Sequence, residues 1–168
     1  MGCYRTILVA VDGSVDAAAA LRHAASLARD QHAKLILLTV VPAPPPLVAG
    51  PAALLAPPVE SEEAYARILR EAVDTVPSDV GVQARLARGR PARRILETAR
   101  ECECDLVVMG FHGHGRLHHA LIGSVSDSVL LASGVPVLLM RAAESQPADG
   151  DGPRPPAVDA SVGSGAPG

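Results

Sequence analysis

The sequence predicts an α/β fold of three layers, a doubly wound sheet of five parallel strands with helices on both faces. Three observations carry this. Apolar runs of strand length alternate with stretches whose apolar residues recur every three and four positions, giving strand, helix, strand, helix through five strands and four helices. Most of the strand runs are continuous in aliphatic residues (RTILVAV, LILLTVV, DLVVM, VPVLLM) rather than alternating with polar ones, as strands covered on both faces require. Aromatic residues are almost absent, Phe111, Tyr4 and Tyr65 being the whole set, so the core must be built from Ala, Val, Leu and Ile. A chain of 168 residues is the length of one ordinary domain, which buries roughly 70% of its unfolded surface.

The elements follow in order. Arg5 to Val11 is the first strand, ended by Asp12-Gly13-Ser14. Ser14 caps a helix to about Gln31, with Ala17, Leu21, Ala24, Leu27 and Ala28 as the buried stripe. Leu35 to Val41 is a second buried strand. Pro42 to Pro58 holds seven prolines, which neither a helix interior nor a central strand tolerates, so it reads as a long surface excursion. Helical spacing resumes from Ser61 to Val76, and Val80, Val82, Ala84 and Leu86 alternate as a half-exposed strand. Gly89-Arg90-Pro91 turns into a helix reaching about Cys102, its inner face Ile95, Leu96 and Ala99. Asp105 to Met109 is the fourth strand, Gly110 to Gly123 a glycine-rich loop, Ser124 to Ala132 a helix and Val135 to Met140 the last strand, placed at an edge by Pro136. From Ala142 onward no apolar period remains, and residues 142–168 are expected to be a disordered tail.

Composition excludes several functions. Of 18 acids and 15 bases, Glu144, Asp149, Asp151, Asp159 and Arg154 fall in the tail, leaving 14 of each before it. That balance gives no electrostatic footprint for nucleic acid or for an anionic membrane, and Arg88, Arg90, Arg93 and Arg94 read as a solvated helix start. Prolines break the apolar stretch from Pro46 to Val59, so no membrane span or signal peptide is read. Cys3, Cys102 and Cys104 form no disulfide framework and no Cys-x-x-Cys metal spacing, which fits a reducing, cytoplasmic setting. The Met1-Gly2-Cys3 start matches the loose acylation pattern, but a strand beginning at once is the preferred reading.

Chemistry concentrates in GFHGHGRLHHALIGSVSDSVL, Gly110 to Leu130. A strand, a glycine-rich loop and a helix start make an anion site, because glycines let a ligand approach the backbone while unpaired N–H groups point outward. Gly110, Gly113 and Gly123 would allow the approach; Ser124, Val125 and Ser126 would offer N–H groups, and Ser124 and Ser126 their hydroxyls. A side chain at Gly123 would fill the phosphate space and strain the backbone angle. No G-x-G-x-x-G follows the first strand and no Gly-Lys-Ser/Thr closes the loop, so on these grounds alone glycines that merely turn the chain into a helix capped by Ser124 remain an equal alternative. Likewise Asp12 could simply end its strand through turn hydrogen bonds.

Gly110-x2-Gly113-x9-Gly123-Ser124 resembles the G-2x-G-9x-G-S/T signature of the ATP-binding branch of the universal stress protein family. Ala10-Val11-Asp12-Gly13-Ser14, Gly89-x-Pro91 and Ser133-Gly134-Val135-Pro136-Val137 extend the likeness over residues 4–141. The resemblance implies a Rossmann-like sheet of the adenine nucleotide alpha hydrolase kind in residues 1–141, with ATP between the first and fourth strand ends. Asp12 would contact ribose and a phosphate-bound divalent ion, Mg or Mn. Val40 backbone would read the adenine edge, Ala10, Met109 and Gly110 would line base and ribose, and Gly113, Gly123, Ser124, Val125 and Ser126 would hold the phosphates. Phe111 departs from the small polar residue usual in the family. The resemblance further implies a homodimer through the last strand, with Val135, Val137 and Leu139 on that edge, and a regulatory nucleotide binder with at most slow hydrolysis. Two alternatives stay open: an ATP pyrophosphatase-type enzyme, whose Ser-Gly-Gly-x-Asp-Ser loop is missing after the first strand, and a dimeric scaffold that binds no nucleotide. His112, His114, His118 and His119 lack local Cys or acidic co-ligands and read as solvated or phosphate-contacting rather than as a metal site.

Overall fold

The structure, a computed structural model, describes residues 4–43, 61–113 and 122–142. Outside them lie the Met1-Gly2-Cys3 start, the proline-rich excursion from Pro44 onward, the loop residues His114, His118 and His119, and the tail from Ala143. The elements are β1 (Thr6–Ala10), α1 (Val15–Gln31), β2 (Lys34–Val41), α2 (Glu62–Asp74), β3 (Val82–Arg88), α3 (Pro91–Glu101), β4 (Leu106–Gly110), α4 (Ser124–Ala132) and β5 (Val137–Met140). All pairings are parallel, in the order β3-β2-β1-β4-β5. The chain winds outward from β1 to β3, then restarts at β4 on the other side. Strand order therefore reverses between β1 and β4, where their carboxyl ends part to leave the crevice that doubly wound sheets use for ligands.

Alternation along the strands sends side chains to two cores. Ile7, Val9, Leu35, Leu37, Leu106 and Val108 meet Ala20, Leu21, Ala24, Ala25 and Ala28 of α1 with Leu69 and Ala72 of α2. Leu8, Ile36, Leu38, Val107 and Met109 meet Ile95 and Ala99 of α3 and Val129 of α4. The alanine stripe on α1 lets that helix lie close to the sheet. Its ends are fixed by chemistry legible in the sequence: Ser14 Oγ accepts from Ala17 N at 3.1 Å, and His32 closes the helix in the left-handed region at φ 57°. Pro91 opens α3 as expected, but the third buried residue there is Thr98, while Leu96 is half-buried.

The edge strands differ from expectation in detail. Val80 is buried before β3 begins, whereas Val82 and Leu86 lie exposed at the sheet margin. Pro136 precedes β5 rather than sitting inside it, and its carbonyl accepts from Val107 N at 3.0 Å, so the missing proline N–H costs the ladder nothing. β5 is an edge strand, as Pro136 implied.

Candidate nucleotide site

Asp12 and Gly13 leave β1 at the switch point. Asp12 Oδ1 accepts from Ser14 N at 3.0 Å, and Gly13 takes φ 82°, a conformation glycine adopts without strain. The turn reading of Asp12 is therefore satisfied, yet it engages only one carboxylate oxygen. The other, Oδ2, faces Gly113, where an added Cβ would stand 2.9 Å from it. Fully buried Thr39 donates its hydroxyl to Val11 O at 3.0 Å and holds the end of β1 in place.

Opposite, β4 ends in Gly110. A Cβ there would lie 2.9 Å from Ala17 N and 2.9 Å from Asp16 Cβ, so only glycine lets the strand rest on the first turn of α1. Phe111 N extends the ladder to Met140 O at 2.7 Å, and Phe111 O accepts from Gly123 N at 3.1 Å, which seats the start of α4 beside the tip of β4. Gly123 is the N-cap of α4, with φ −58° and ψ 144° and no side-chain cap. Ser124 is thus the first helical residue rather than the cap. Because any residue adopts that backbone, the angle strain expected at Gly123 does not arise; the constraint is space, with Phe111 O 3.2 Å from an added Cβ.

At the N-terminus of α4, the N–H groups of Ser124, Val125 and Ser126 find no acceptor among the described residues. Three donors without an acceptor among the described residues, at the positive end of a helix, are the arrangement an anion would need. The Ser124 side chain is exposed and available. Ser126 differs from expectation: it is buried, and its hydroxyl donates to Gly110 O at 2.9 Å, so it ties α4 to β4 and leaves only its N–H for a ligand. Ala10, Val40 and Met109 line the α3/α4 face of the strand ends, Met109 buried and the other two partly so. The structure thus brings Ala10, Asp12, Val40, Met109, Gly110, Gly113 and Gly123 to Ser126 to the same end of the sheet.

Sequence reasoning missed Asp16. The residue is 6% exposed on the first turn of α1, and its carboxylate accepts from His112 N at 3.1 Å, His112 Nδ1 at 3.2 Å and Ala142 N at 2.8 Å. Burial alone would raise its pKa, but the Ala142 and His112 donors outweigh burial and hold the carboxyl below its ordinary value. A carboxylate only accepts, so Nδ1 of His112 carries the proton; Nε2 is buried without a partner among the described residues. Phe111 lies edge-on to the His112 ring at 4.8 Å, and the Arg141 guanidinium sits 4.6 Å above the Phe111 ring. The only sequence signal for Asp16 was an acid in the first turn of a helix, which ordinarily reads as a dipole contact.

A fold with this strand order, this switch point and these glycines invites comparison with known proteins. Residues 3–141 match the model of the universal stress protein family. The chain belongs to that family. Universal stress protein YxiE of Bacillus subtilis is 33% identical over 148 residues, covering 82% of this chain and 99% of YxiE. Among solved structures, universal stress protein UspA from Lactobacillus plantarum superposes with a TM-score of 0.63 at 27% identity, covering 82% of this chain and 98% of its own. A universal stress protein in complex with cAMP gives 0.62 at 28% identity, over 83% and 98%.

This family member shows no group of three or more His, Cys, Asp or Glu suited to a metal ion among its described residues. Cys102 and Cys104 are free, and burial above all pushes the Cys104 thiol up to about 11, so it stays protonated at neutral pH. None of the described helices is long and apolar enough to cross a membrane. The arginine run from Arg88 is largely spent on carboxylates: Arg88 on Glu62, and Arg93 and Arg94 on Glu97 at 2.7 and 2.6 Å. An open cleft of about 560 Å³ between α3 and α4, lined by Arg90, Arg93, Leu96, Arg100 and Ser128, contains none of the residues predicted for the site.

Proposed function

We propose that this universal stress protein binds ATP in the β1/β4 crevice and acts as a cytoplasmic regulatory homodimer with at most slow hydrolysis. The supporting observation is the set of N–H groups on Ser124, Val125 and Ser126 that have no acceptor among the described residues, set beside the glycine-lined tip of β4. In this reading Gly113 and the start of α4 hold the phosphates, Ala10, Met109 and Gly110 line base and ribose, and Val40 backbone reads the adenine edge. Asp12 Oδ2, free of the turn bond, serves ribose or a Mg or Mn ion carried by the phosphates. In this reading residues 1–141 bind the nucleotide and residues 142–168 follow as a tail whose first residue, Ala142, is tied back to Asp16. The cAMP-bound relative supports an adenine nucleotide as ligand class.

Regulation rather than turnover is favoured because the crevice offers donors for charge already present on the ligand, and among the described residues no nucleophile is set against the oriented His112 ring. Among the described residues β5 is an edge strand, which leaves one side of its backbone for pairing with a second copy. Val135, Val137 and Leu139 are half-buried against their own core, so the free backbone is the stronger support for a dimer.

Isothermal titration with ATP, ADP, AMP and cAMP tests the reading. Affinity should fall as phosphates are removed, and Asp12→Ala should weaken ATP binding less than loss of the phosphate donors does. Equal affinity for all four ligands, or cAMP binding as tightly as ATP, would refute recognition of a phosphate chain at α4.

A further inference from the structure

We infer that Asp16 is the positioning residue for His112 and Gly113 at the phosphate site, and that its carboxylate is shared with Ala142, making the exit of β5 part of the site's support. The inference rests on the nucleotide reading above and names how that site is held.

One carboxylate joins three segments. Oδ2 takes both the backbone N–H and the ring Nδ1–H of His112, fixing the residue between the tip of β4 and Gly113. Oδ1 takes the N–H of Ala142, the second residue beyond β5. The helix carrying Asp16 is itself anchored, since Ser14 caps it and Gly110 rests on Ala17 and Asp16. His112 in turn borders α4: its Cα would lie 3.6 Å from a Cβ at Gly123, and its carbonyl lies 3.5 Å from Ser14 Oγ. A shift of His112 therefore moves Gly113 on one side and the α4 donors on the other. A second tie runs in parallel, from the Arg141 guanidinium to the Phe111 ring. Residues 141–142 thus grip residues 111–112 twice.

Such an arrangement reduces the ordering that a ligand would otherwise have to impose on His112 and Gly113, and a preorganised backbone binds more tightly with no added contact. The held groups serve phosphates, not the base, so the effect should appear in the dependence of affinity on phosphate number. A role confined to stability would lower the melting temperature and leave that dependence unchanged.

The experiment uses the full chain and four proteins: wild type, Asp16→Ala, Ala142→Pro and the double variant. Ala142→Pro removes the one N–H that Asp16 accepts from the β5 exit while leaving the carboxylate in place. Each is titrated with ATP and AMP well below its melting temperature, with circular dichroism to confirm folding; Asp16→Asn replaces Asp16→Ala if the latter does not fold. Asp16→Ala should weaken ATP binding about tenfold and AMP binding no more than about twofold. Ala142→Pro should act in the same direction, and the double variant should fall short of the product of the single effects, since both disturb one carboxylate. An unchanged ATP-to-AMP ratio in Asp16→Ala overturns the positioning role, and fully multiplicative single effects overturn the sharing with Ala142. If wild type itself shows no preference for ATP over AMP, the nucleotide reading fails instead, which separates the two failures.

Discussion

Gly110→Ala tests how closely the functional end of the sheet is packed. The new Cβ would lie 2.9 Å from Ala17 N, 2.9 Å from Asp16 Cβ and 3.0 Å from the Asp16 carbonyl carbon. None of these atoms is the far end of a flexible side chain. They belong to a helical turn fixed by the Ser14 cap and by three hydrogen bonds to the Asp16 carboxylate. Relief therefore requires β4 and α1 to separate. Overpacking of a tight core costs about 1–3 kcal/mol, and with no flexible neighbour to yield we expect the upper part of that range. In a chain of this size 1 kcal/mol corresponds to about 3 °C in melting temperature, so the variant should melt about 6–9 °C below wild type. Gly134 is the control: an added Cβ there meets nothing within 4 Å among the described residues, so Gly134→Ala should stay within about 0.5 kcal/mol. Thermal unfolding followed by circular dichroism reads both. A Gly110→Ala protein melting within about 2 °C of wild type would show that β4 does not rest on α1 as described, and with it would fall the argument that glycine is needed at this position.

Other outcomes follow from the same geometry. Gly123→Val should abolish ATP binding in titration while the circular dichroism spectrum stays native, because the backbone angle suits any residue and only the space beside Phe111 O is lost; retained affinity would remove α4 from the phosphate site. A chain ending at residue 143, which keeps the Ala142 N–H on Asp16, should melt and bind ATP like the full chain, and a large loss of either would show that the tail docks on the domain. Val137→Lys or Leu139→Lys should sediment as a folded but less stable monomer, and a wild type that is monomeric at micromolar concentration would refute the dimer. Asp105 is held below its ordinary pKa by N–H donors from Arg5 and Thr6 at 2.7 and 2.9 Å, and Asp16 is also depressed. Groups with a lowered folded pKa contribute stability that is present above the unfolded pKa of about 4 and lost as pH falls through the folded value. Melting temperature should accordingly drop below pH of about 4, less steeply in Asp105→Asn; identical slopes would contradict the assignment.

What the sequence revealed and what it hid have distinct physical causes. Strand runs such as LILLTVV could be read because a strand buried on both faces has no polar alternative in its pattern, and Lys34–Val41 is the strand found. Pro91 and Ser14 could be read because their effects are local, confined to one helical turn. Asp16 could not be read, since its three donors come from residues 96 and 126 positions away in the chain. Nothing local distinguishes an acid in a first helical turn that faces water from one that holds two other segments. The hydroxyl of Ser126 reads as a phosphate donor for a related reason: its place in the first turn is correct, but the hydroxyl is used by Gly110 O, a contact made when Gly123 N on Phe111 O seats α4 beside the tip of β4. Thr98 shows the same limit on a smaller scale, a polar residue buried because α3 packs on that face, which propensity alone does not reveal.

The first turn of α1 therefore carries more of the site than its sequence suggests. Ser14 closes the turn that Asp12 opens, Ala17 and Asp16 provide the surface on which Gly110 rests, and the Asp16 carboxylate holds His112 and Ala142. β1, β4 and β5 all terminate against this one turn, so the crevice at the switch point owes its shape to α1, while the anion donors come from α4 on the opposite face. A ligand bridging the two would touch both layers at once. Stability and affinity are then expected to separate by layer: changes on the α1 side such as Gly110→Ala should lower the melting temperature first, and changes on the α4 side such as Gly123→Val should lower affinity first. The same order of effect on both sides would argue against division of the site between a supporting layer and a binding layer.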